Sequence, residues 1–144
     1  ICLPSMKDGR DYLNSKVKNR EMYRPYAPII LDKYVDEVLE DYLPWSPYMS
    51  TSGTIREEWR ERMGACNHVD NSTRPQIISR EHDWFTYNLV ECIYEKTGIP
   101  AILNTSFNMQ EPIVETPREA MNTFFKFPIK YLLLENALII KYDR

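Results

Sequence analysis

A predicted helix that leads directly into a short apolar strand constrains the fold of this chain more than any other segment. Apolar spacing predicts a helix from Glu81 to Lys96, and Gly98 stands where such helices commonly end. Ala101 to Leu103 then form a short apolar run of the kind that fills a buried strand. Helical and strand-like segments alternate along the chain, which predicts an α/β fold: a mixed, twisted open sheet with flanking helices.

Polar side chains follow this predicted strand directly. Asn104, Thr105, Ser106 and Asn108 place four hydrogen-bonding side chains within five positions. Ligands of open α/β sheets bind at the carboxyl ends of strands, and amide and hydroxyl groups suit a polyatomic anion or a nucleotide. The same residues can instead form a turn that satisfies its own backbone. The run alone leaves both interpretations open.

A basic segment begins at the end of a predicted helix over residues 6–17. Lys16, Arg20 and Arg24 are spaced four apart and would share a helical face, whereas Lys18 would point elsewhere unless the helix ended first. Converging lysine and arginine side chains supply point charge and bidentate hydrogen bonds for phosphate or carboxylate. A solvated basic surface is the alternative interpretation.

His68 and Arg74 flank a polar loop that could form a second part of a site. His68 and Asp70 are two residues apart and lack the spacing partners of a zinc site, so no metal site is predicted. Nothing surrounding Ser72 or Ser106 resembles a nucleophile elbow. His68 fits a hydrogen-bond donor or a proton carrier, and Arg74 fits a phosphate or carboxylate clamp. A structural histidine ahead of a loop is the alternative.

Composition narrows the class of protein. A net charge of −3 argues against a nucleic-acid binder or a polybasic membrane module. No apolar stretch approaches the ~20 residues that span a bilayer. With four glycines the chain has no glycine-rich phosphate loop, so side chains and helix ends would have to bind any phosphate. Three widely spaced cysteines favour a reducing cytoplasm.

Four further elements are predicted from local patterns. Apolar periodicity predicts a helix from Asp32 to Leu43, and the charged run from Thr54 to Met63 is interpreted as a solvated helix or a flexible insertion. Thr116-Pro117-Arg118-Glu119 is a strong helix-start pattern for a helix that ends near Lys126. Two closing strands are predicted to form a hairpin or a meander around residues 135 and 136.

In combination and order, these blocks resemble the C-terminal, YrdC-like domain of carbamoyltransferases of the NodU/CmcH/TobZ type. The resemblance covers almost the whole chain, and its basic block and its Asn-Thr-Ser-Phe-Asn block are specific in combination. The matching blocks are Asp11-Tyr12-Leu13-Asn14, residues 17–28, His68-Val69-Asp70, Thr73-Arg74-x-Gln76, Thr97-Gly98-x-Pro100, Asn104-Thr105-Ser106-Phe107-Asn108, Glu111-Pro112-Ile113-Val114 and Thr116-Pro117.

The resemblance implies a domain that binds ATP and carbamoyl phosphate and forms carbamoyl-adenylate, with Mg²⁺ arriving with ATP. A separate Kae1-like domain, which holds a metal, would then pass the carbamoyl group to a hydroxyl acceptor. Neither nucleic acid nor membrane is an expected partner. By position, the resemblance assigns catalysis to Lys18, Arg24, Arg74 and Ser106, and ligand binding to Arg20, His68, Asn104, Thr105 and Asn108.

Departures from the family pattern suggest that residues 1–144 are a partial domain. The family's Gly-Pro-Arg-Ala-Leu-Gly-x-Arg-Ser block and the Kae1-like domain are expected upstream of Ile1. A non-catalytic module that binds a nucleotide or an anion is therefore the alternative function. Gln110 stands where the family has a glycine, and Asn71-Ser72 stands where Gly-Thr is usual, although asparagine also tolerates left-handed geometry.

Overall fold

The computed structural model describes residues 1–6 and 8–142, which fall into two compact units. Unit 1 contains Ile1–Arg10 and Pro25–Thr105, and unit 2 contains Asp11–Arg24 and the chain from Ser106 onward. In chain order the helices and strands are α1 (Gly9–Tyr12), a π-helix (Leu13–Lys18), β1 (Ala27–Leu31), a 3-10 helix (Asp32–Tyr34), α2 (Val35–Val38), β2 (Leu39–Glu40), β3 (Gly53–Ile55), a 3-10 helix (Glu57–Trp59), β4 (Ser72–Thr73), β5 (Gln76–Ile78), α3 (Trp84–Thr97), β6 (Ala101–Asn104), α4 (Pro117–Lys126), β7 (Tyr131–Leu134) and β8 (Ala137–Ile140).

A mixed three-stranded sheet in the order β5-β1-β6 forms the centre of unit 1. Strand β1 runs parallel to β5 and antiparallel to β6, with Ile30 opposite both Ile77 and Ala101. Helix α3 covers one face through Tyr87 and Val90. Both faces carry buried apolar side chains, as in sheets that are covered on both sides. The predicted α/β class and the mixed sheet are confirmed.

The remaining strands form two smaller sheets. Strands β2, β3 and β4 make an antiparallel sheet in unit 1, and β7 and β8 make an antiparallel hairpin in unit 2. The hairpin turns at the predicted place, around Glu135, whose φ of 51° is left-handed. The β-structure is therefore divided among three small sheets instead of one continuous open sheet.

Helix α3 begins at Trp84 instead of the predicted Glu81 and ends close to the predicted Lys96, whereas α4 begins and ends as predicted. The Asp83 carboxylate accepts a hydrogen bond from the Thr86 N–H at 3.0 Å at the start of α3, and Gly98 ends that helix with a φ of 66°. At the start of α4, the Thr116 hydroxyl and the Glu119 carboxylate each accept a hydrogen bond from the other residue's main-chain N–H. This reciprocal capping box confirms the helix-start pattern.

The predicted helix over residues 6–17 is wrong for most of its length. Only Gly9–Tyr12 is α-helical, and Leu13–Lys18 is π-helical; Lys7 lies outside the described residues. Asn19 ends the helical segment in a left-handed conformation, which asparagine tolerates well. The basic residues after Lys18 therefore do not share a helical face.

Two other predictions are wrong because tertiary packing overrides the local pattern. The helix predicted from Asp32 to Leu43 stops at Val38, since Leu39 pairs with Ile55 in a sheet. The run from Thr54 to Met63 is neither a solvated helix nor a flexible insertion. Its apolar residues Ile55, Trp59 and Met63 are buried in the larger core cluster of unit 1.

Candidate functional site

The predicted site residues divide between the two units. Unit 2 holds Lys18, Arg20, Arg24, Ser106 and Asn108, and unit 1 holds His68, Arg74, Asn104 and Thr105. Within unit 2 the structure brings the lysine together with Ser106 and Asn108. Within unit 1, the predicted residues lie on two chain segments: His68 and Arg74 on one, and Asn104 and Thr105 on the other.

The ammonium group of Lys18 is buried against the loop that begins at Ser106. Its Nζ donates to the carbonyl oxygens of Ser106 at 2.5 Å and Asn108 at 2.8 Å. The Asn108 Oδ1 and the Ser106 Oγ lie 3.1 Å and 3.3 Å from the same nitrogen. Lys18 is only 7% exposed, which is rare for a lysine. Neutral loop oxygens therefore replace its water shell.

Lys18 also lies near a second positive charge. Burial lowers the pKa of the Lys18 ammonium, the nearby Arg20 guanidinium lowers it further, and Glu111 opposes both effects. Holding two cations close together in a partly dehydrated place costs free energy. An anionic ligand would relieve that repulsion and accept charge-assisted hydrogen bonds. The electrostatics of this part of unit 2 thus favour an anion.

Asn14 organises the basic segment from within the protein. Its side chain is fully buried, and its Nδ2 donates to the carbonyl oxygens of Met22 at 3.2 Å and Arg24 at 2.9 Å. Its Oδ1 accepts from the Nε of Arg20 at 2.8 Å. Its carbonyl oxygen accepts from the N–H groups of Asn19 and Arg20. Asn14 was not among the predicted site residues, although an asparagine inside a helical pattern is unfavourable and could have signalled a special role.

The loop that begins at Ser106 is braced by its own side chains. The Ser106 hydroxyl donates to the Asn108 Oδ1 at 2.5 Å, and the Asn108 Nδ2 donates to the Glu111 carbonyl oxygen at 2.7 Å. The Phe107 ring meets the ring of the buried Phe127 edge-on, with 5.8 Å between centroids. The loop therefore has the internal hydrogen bonds of a turn, while Ser106 itself remains exposed.

Glu111 is the acidic residue whose negative charge acts on the Lys18 ammonium. Its Oε2 accepts from the Gln110 N–H at 3.1 Å, and its Oε1 lies 3.3 Å from the Thr123 hydroxyl and 3.8 Å from the Lys126 Nζ. Main-chain N–H groups are the main reason why the pKa of Glu111 is lowered. The carboxylate therefore stays charged at neutral pH and partly balances Lys18.

The side chain of Arg24 lies at the surface. It is 3.9 Å from the Glu21 carboxylate, and both side chains are more than half exposed. An exposed ion pair of this kind contributes little to stability. A ligand anion could therefore replace Glu21 as the partner of Arg24 at small cost.

In unit 1, the amide of Asn104 is held by a second amide. The Asn104 Nδ2 donates to the Gln76 Oε1 at 2.7 Å and lies 3.5 Å from the Met49 sulfur. Strand β1 separates the strands that carry the two amides. Gln76 was not predicted as a site residue, and it fixes the direction of the Asn104 side chain.

His68 and Arg74 are exposed side chains on a tightly bonded turn. The His68 N–H donates to the Ser72 carbonyl oxygen, and the Asn71 N–H donates to the His68 carbonyl oxygen, both at 3.0 Å. The Ser72 hydroxyl and N–H lower the pKa of Asp70, which closes this turn. Arg74 follows on the same chain segment, and its side chain is exposed. Thr105, elsewhere in unit 1, is exposed as well.

Among the described residues there is neither a cluster suited to a metal ion nor a helix suited to cross a membrane. In residues 1–6 and 8–142, no three His, Cys, Asp or Glu side chains lie close enough to hold a metal ion. No helix in the same part of the chain is long and apolar enough to cross a membrane. All three cysteines carry free thiols, and burial raises the pKa of the Cys66 thiol well above its ordinary value.

The fold is a small α/β fold, and unit 2 holds a buried ammonium surrounded by the oxygens of the loop that begins at Ser106. Residues 1–141 match the family described as carbamoyltransferase C-terminus, and the chain belongs to that family.

Longer proteins contain regions similar to this chain. An uncharacterised protein of Methanocaldococcus jannaschii is 37% identical over 98% of the chain, and the nodulation protein NolNO of Sinorhizobium fredii is 36% identical over 96%. Nodulation protein U of Rhizobium tropici is 44% identical over 74% of the chain. The chain spans only 27%, 21% and 18% of the lengths of these three relatives.

Proposed function

We propose that this domain activates the carbamoyl group for O-carbamoyl transfer, by binding carbamoyl phosphate and ATP and forming carbamoyl-adenylate. The observation that carries the proposal is the buried Lys18 ammonium, seated on the Ser106 and Asn108 loop and close to Arg20. Membership of the carbamoyltransferase C-terminus family supports the carbamoyl chemistry. The proposed enzyme class is a carbamoyltransferase.

The reaction needs two phosphate-centred steps. Carbamoyl phosphate and water give carbamate and inorganic phosphate. A carbamate oxygen then attacks the α-phosphorus of ATP, and a new P–O bond forms. The bond from the α-phosphorus to the bridging oxygen breaks, and pyrophosphate leaves with that electron pair. Such displacements depend on positioning and charge neutralisation more than on a covalent nucleophile.

The side chains of this chain match those needs by type. Lys18, Arg24 and Arg74 would neutralise charge on the phosphates, and Arg20 would bind them as a fork. The Ser106 hydroxyl and the Asn108 amide offer the mixed donors and acceptors that a planar carbamoyl group requires. The remaining predicted contacts to the nucleotide are His68, Asn104 and Thr105. Mg²⁺ would come with ATP and be held largely by phosphate oxygens and water.

The transfer step would belong to another part of the protein. We assign it to a Kae1-like domain, which would receive carbamoyl-adenylate and pass the carbamoyl group to a hydroxyl acceptor. The relatives are several times longer than this chain, which supports a division of labour between domains.

Exchange of labelled pyrophosphate into ATP tests the proposal in the full-length protein. We expect label in ATP only when carbamoyl phosphate is present, and we expect Arg74→Ala and Ser106→Ala to suppress it. Arg118→Ala, which removes an exposed arginine on α4, is the matched control and should leave exchange intact. A folded protein that binds ATP without any exchange would instead be a non-catalytic nucleotide-binding module. Exchange that survives both site substitutions would contradict the assigned residues.

A further inference from the structure

We propose that Asn14 is a positioning residue that fixes the basic segment 18–24 for phosphate binding, an inference that rests on the proposed function. The side chain is buried completely and makes hydrogen bonds to three residues of that one segment: Arg20, Met22 and Arg24. Because Asn14 is itself fully buried, it acts on these residues and not directly on a ligand.

The chemistry of the contacts allows one orientation of the Asn14 amide. Its Nδ2 faces two carbonyl oxygens, which can only accept, and its Oδ1 faces the Arg20 Nε–H, which can only donate. Exchanging the amide nitrogen and oxygen would place donor against donor and acceptor against acceptor. The residue is therefore specific for asparagine, since neither aspartate nor leucine supplies both kinds of group.

Asn14 holds the Arg20 side chain by a direct hydrogen bond. Beyond the effect of burial, the positive charge of Arg20 lowers the pKa of the Lys18 ammonium. A hydrogen bond of 2.8 Å from the Nε to a buried oxygen fixes the guanidinium plane, and with it the direction of both Nη groups. Two like charges are thus kept in proximity before any anion arrives, which is the preorganisation that anion binding needs.

The Asn14 amide also holds the main chain from which a second cationic side chain, that of Arg24, extends. The carbonyl oxygen of Arg24 accepts from the Asn14 Nδ2 at 2.9 Å, while the Arg24 side chain extends into solvent. The main chain of Arg24 is therefore anchored although its guanidinium is exposed. One buried asparagine in this way fixes Arg20 through its side chain and Arg24 through its backbone.

Calorimetric titration of the full-length protein with ATP and with carbamoyl phosphate tests this role, together with steady-state kinetics. We expect Asn14→Ala to weaken binding of both ligands and raise both KM values by about tenfold, the usual effect of losing a charge-assisted hydrogen bond. kcat should change far less. Asn14→Asp keeps the Arg20 acceptor but turns a carboxylate toward two carbonyl oxygens, so it should bind the ligands with intermediate affinity. Asn122→Asp, on the exposed face of α4, is the matched control and should behave as the wild type.

A double variant separates positioning from general stability. Asn14→Ala combined with Arg20→Ala should lose less ATP affinity than the two single losses multiplied, because Asn14→Ala can then act only through Arg24. Losses that multiply, or a fall in kcat with unchanged KM, would overturn the inference. A wild-type protein that binds ATP but shows no pyrophosphate exchange would refute the proposed function only. Ligand affinities and KM values that are unchanged in Asn14→Ala would refute the positioning role only, and a wild type that binds neither ligand would refute both.

Discussion

The Nζ of Lys18 lies 2.8 Å from the carbonyl oxygen of Asn108, although the two residues are 90 positions apart in the chain. This contact joins the two chain segments that make up unit 2. The lysine therefore has a structural role in addition to the ligand-binding role proposed for it. The two roles can be measured separately.

Replacing Lys18 by methionine should destabilise the protein even without a ligand. The substitution leaves the carbonyl oxygens of Ser106 and Asn108 unpaired, which should lower the free energy of unfolding by about 1–3 kcal/mol. Urea denaturation measures this quantity. Lys16→Met, at an exposed position two residues earlier, is the control. Equal stability of the two variants would show that the contacts of Lys18 do not hold the loop.

Gly98→Ala should destabilise unit 1. The residue has a φ of 66°, and an added Cβ would lie 3.1 Å from the Nη2 of Arg62. Left-handed geometry costs a residue with a Cβ about 1–2 kcal/mol, so the free energy of unfolding should fall by that amount. Gly64→Ala is the control, because its nearest neighbour is the Glu61 carbonyl oxygen at an ordinary 3.4 Å. Thermal and urea denaturation of both variants check this, and similar losses would count against the cap.

Met63→Ala tests whether the charged segment around it belongs to the core. Met63 is completely buried, so truncation should lower the free energy of unfolding by about 2–5 kcal/mol. Met6→Ala removes the same atoms from a side chain that is 51% exposed and should cost much less. If both substitutions cost the same in urea denaturation, the segment is not part of the core.

Glu119 should make the stability of unit 2 depend on acid. Hydrogen bonds from the N–H groups of Glu115 and Thr116 lower the pKa of its carboxyl below the ordinary 4.5. Its contribution to stability is therefore present above pH 4.5 and is lost as the pH falls through the lowered folded-state pKa. Glutamine accepts the same hydrogen bonds without titrating. The stability advantage of the wild type over Glu119→Gln should accordingly shrink below pH 4.5.

Denaturation curves between pH 7 and pH 3 provide the measurement for Glu119. Glu58→Gln, at an exposed position in unit 1, controls for the loss of one negative charge. An advantage over Glu119→Gln that stays constant across this range would argue against the capping box as its source.

Local signals made part of the fold predictable from the sequence. The caps of α3 and α4 depend on Asp83, Gly98, Thr116 and Glu119, each of which acts on residues at most four positions away. By contrast, the burial of Trp59 depends on strands far along the chain. Because the neighbours of Trp59 are charged, the sequence pattern predicts a solvated helix or a flexible insertion instead of a buried segment.

For the candidate site, the sequence predicts residues but not the contacts that they make. Lys18, Ser106 and Asn108 were placed together through a family resemblance, and the structure joins them directly. That the lysine would donate to loop oxygens depends on three-dimensional closure. The role proposed for Asn14 depends on carbonyl groups eight and ten residues later, and an asparagine inside a helical pattern signals an unusual position without revealing those partners.

Unit 2 combines residues 11–24 with the chain from Ser106 onward, and this has a consequence for biosynthesis. Lys18 leaves the ribosome 90 residues before the Asn108 carbonyl group with which it pairs. At ordinary translation speeds that interval is on the order of 5–20 s. During that time the basic segment lacks the oxygens that later surround its ammonium group. A nascent chain stalled before Asn108 should consequently lack the contacts between Lys18 and Asn108, however well its earlier residues have folded.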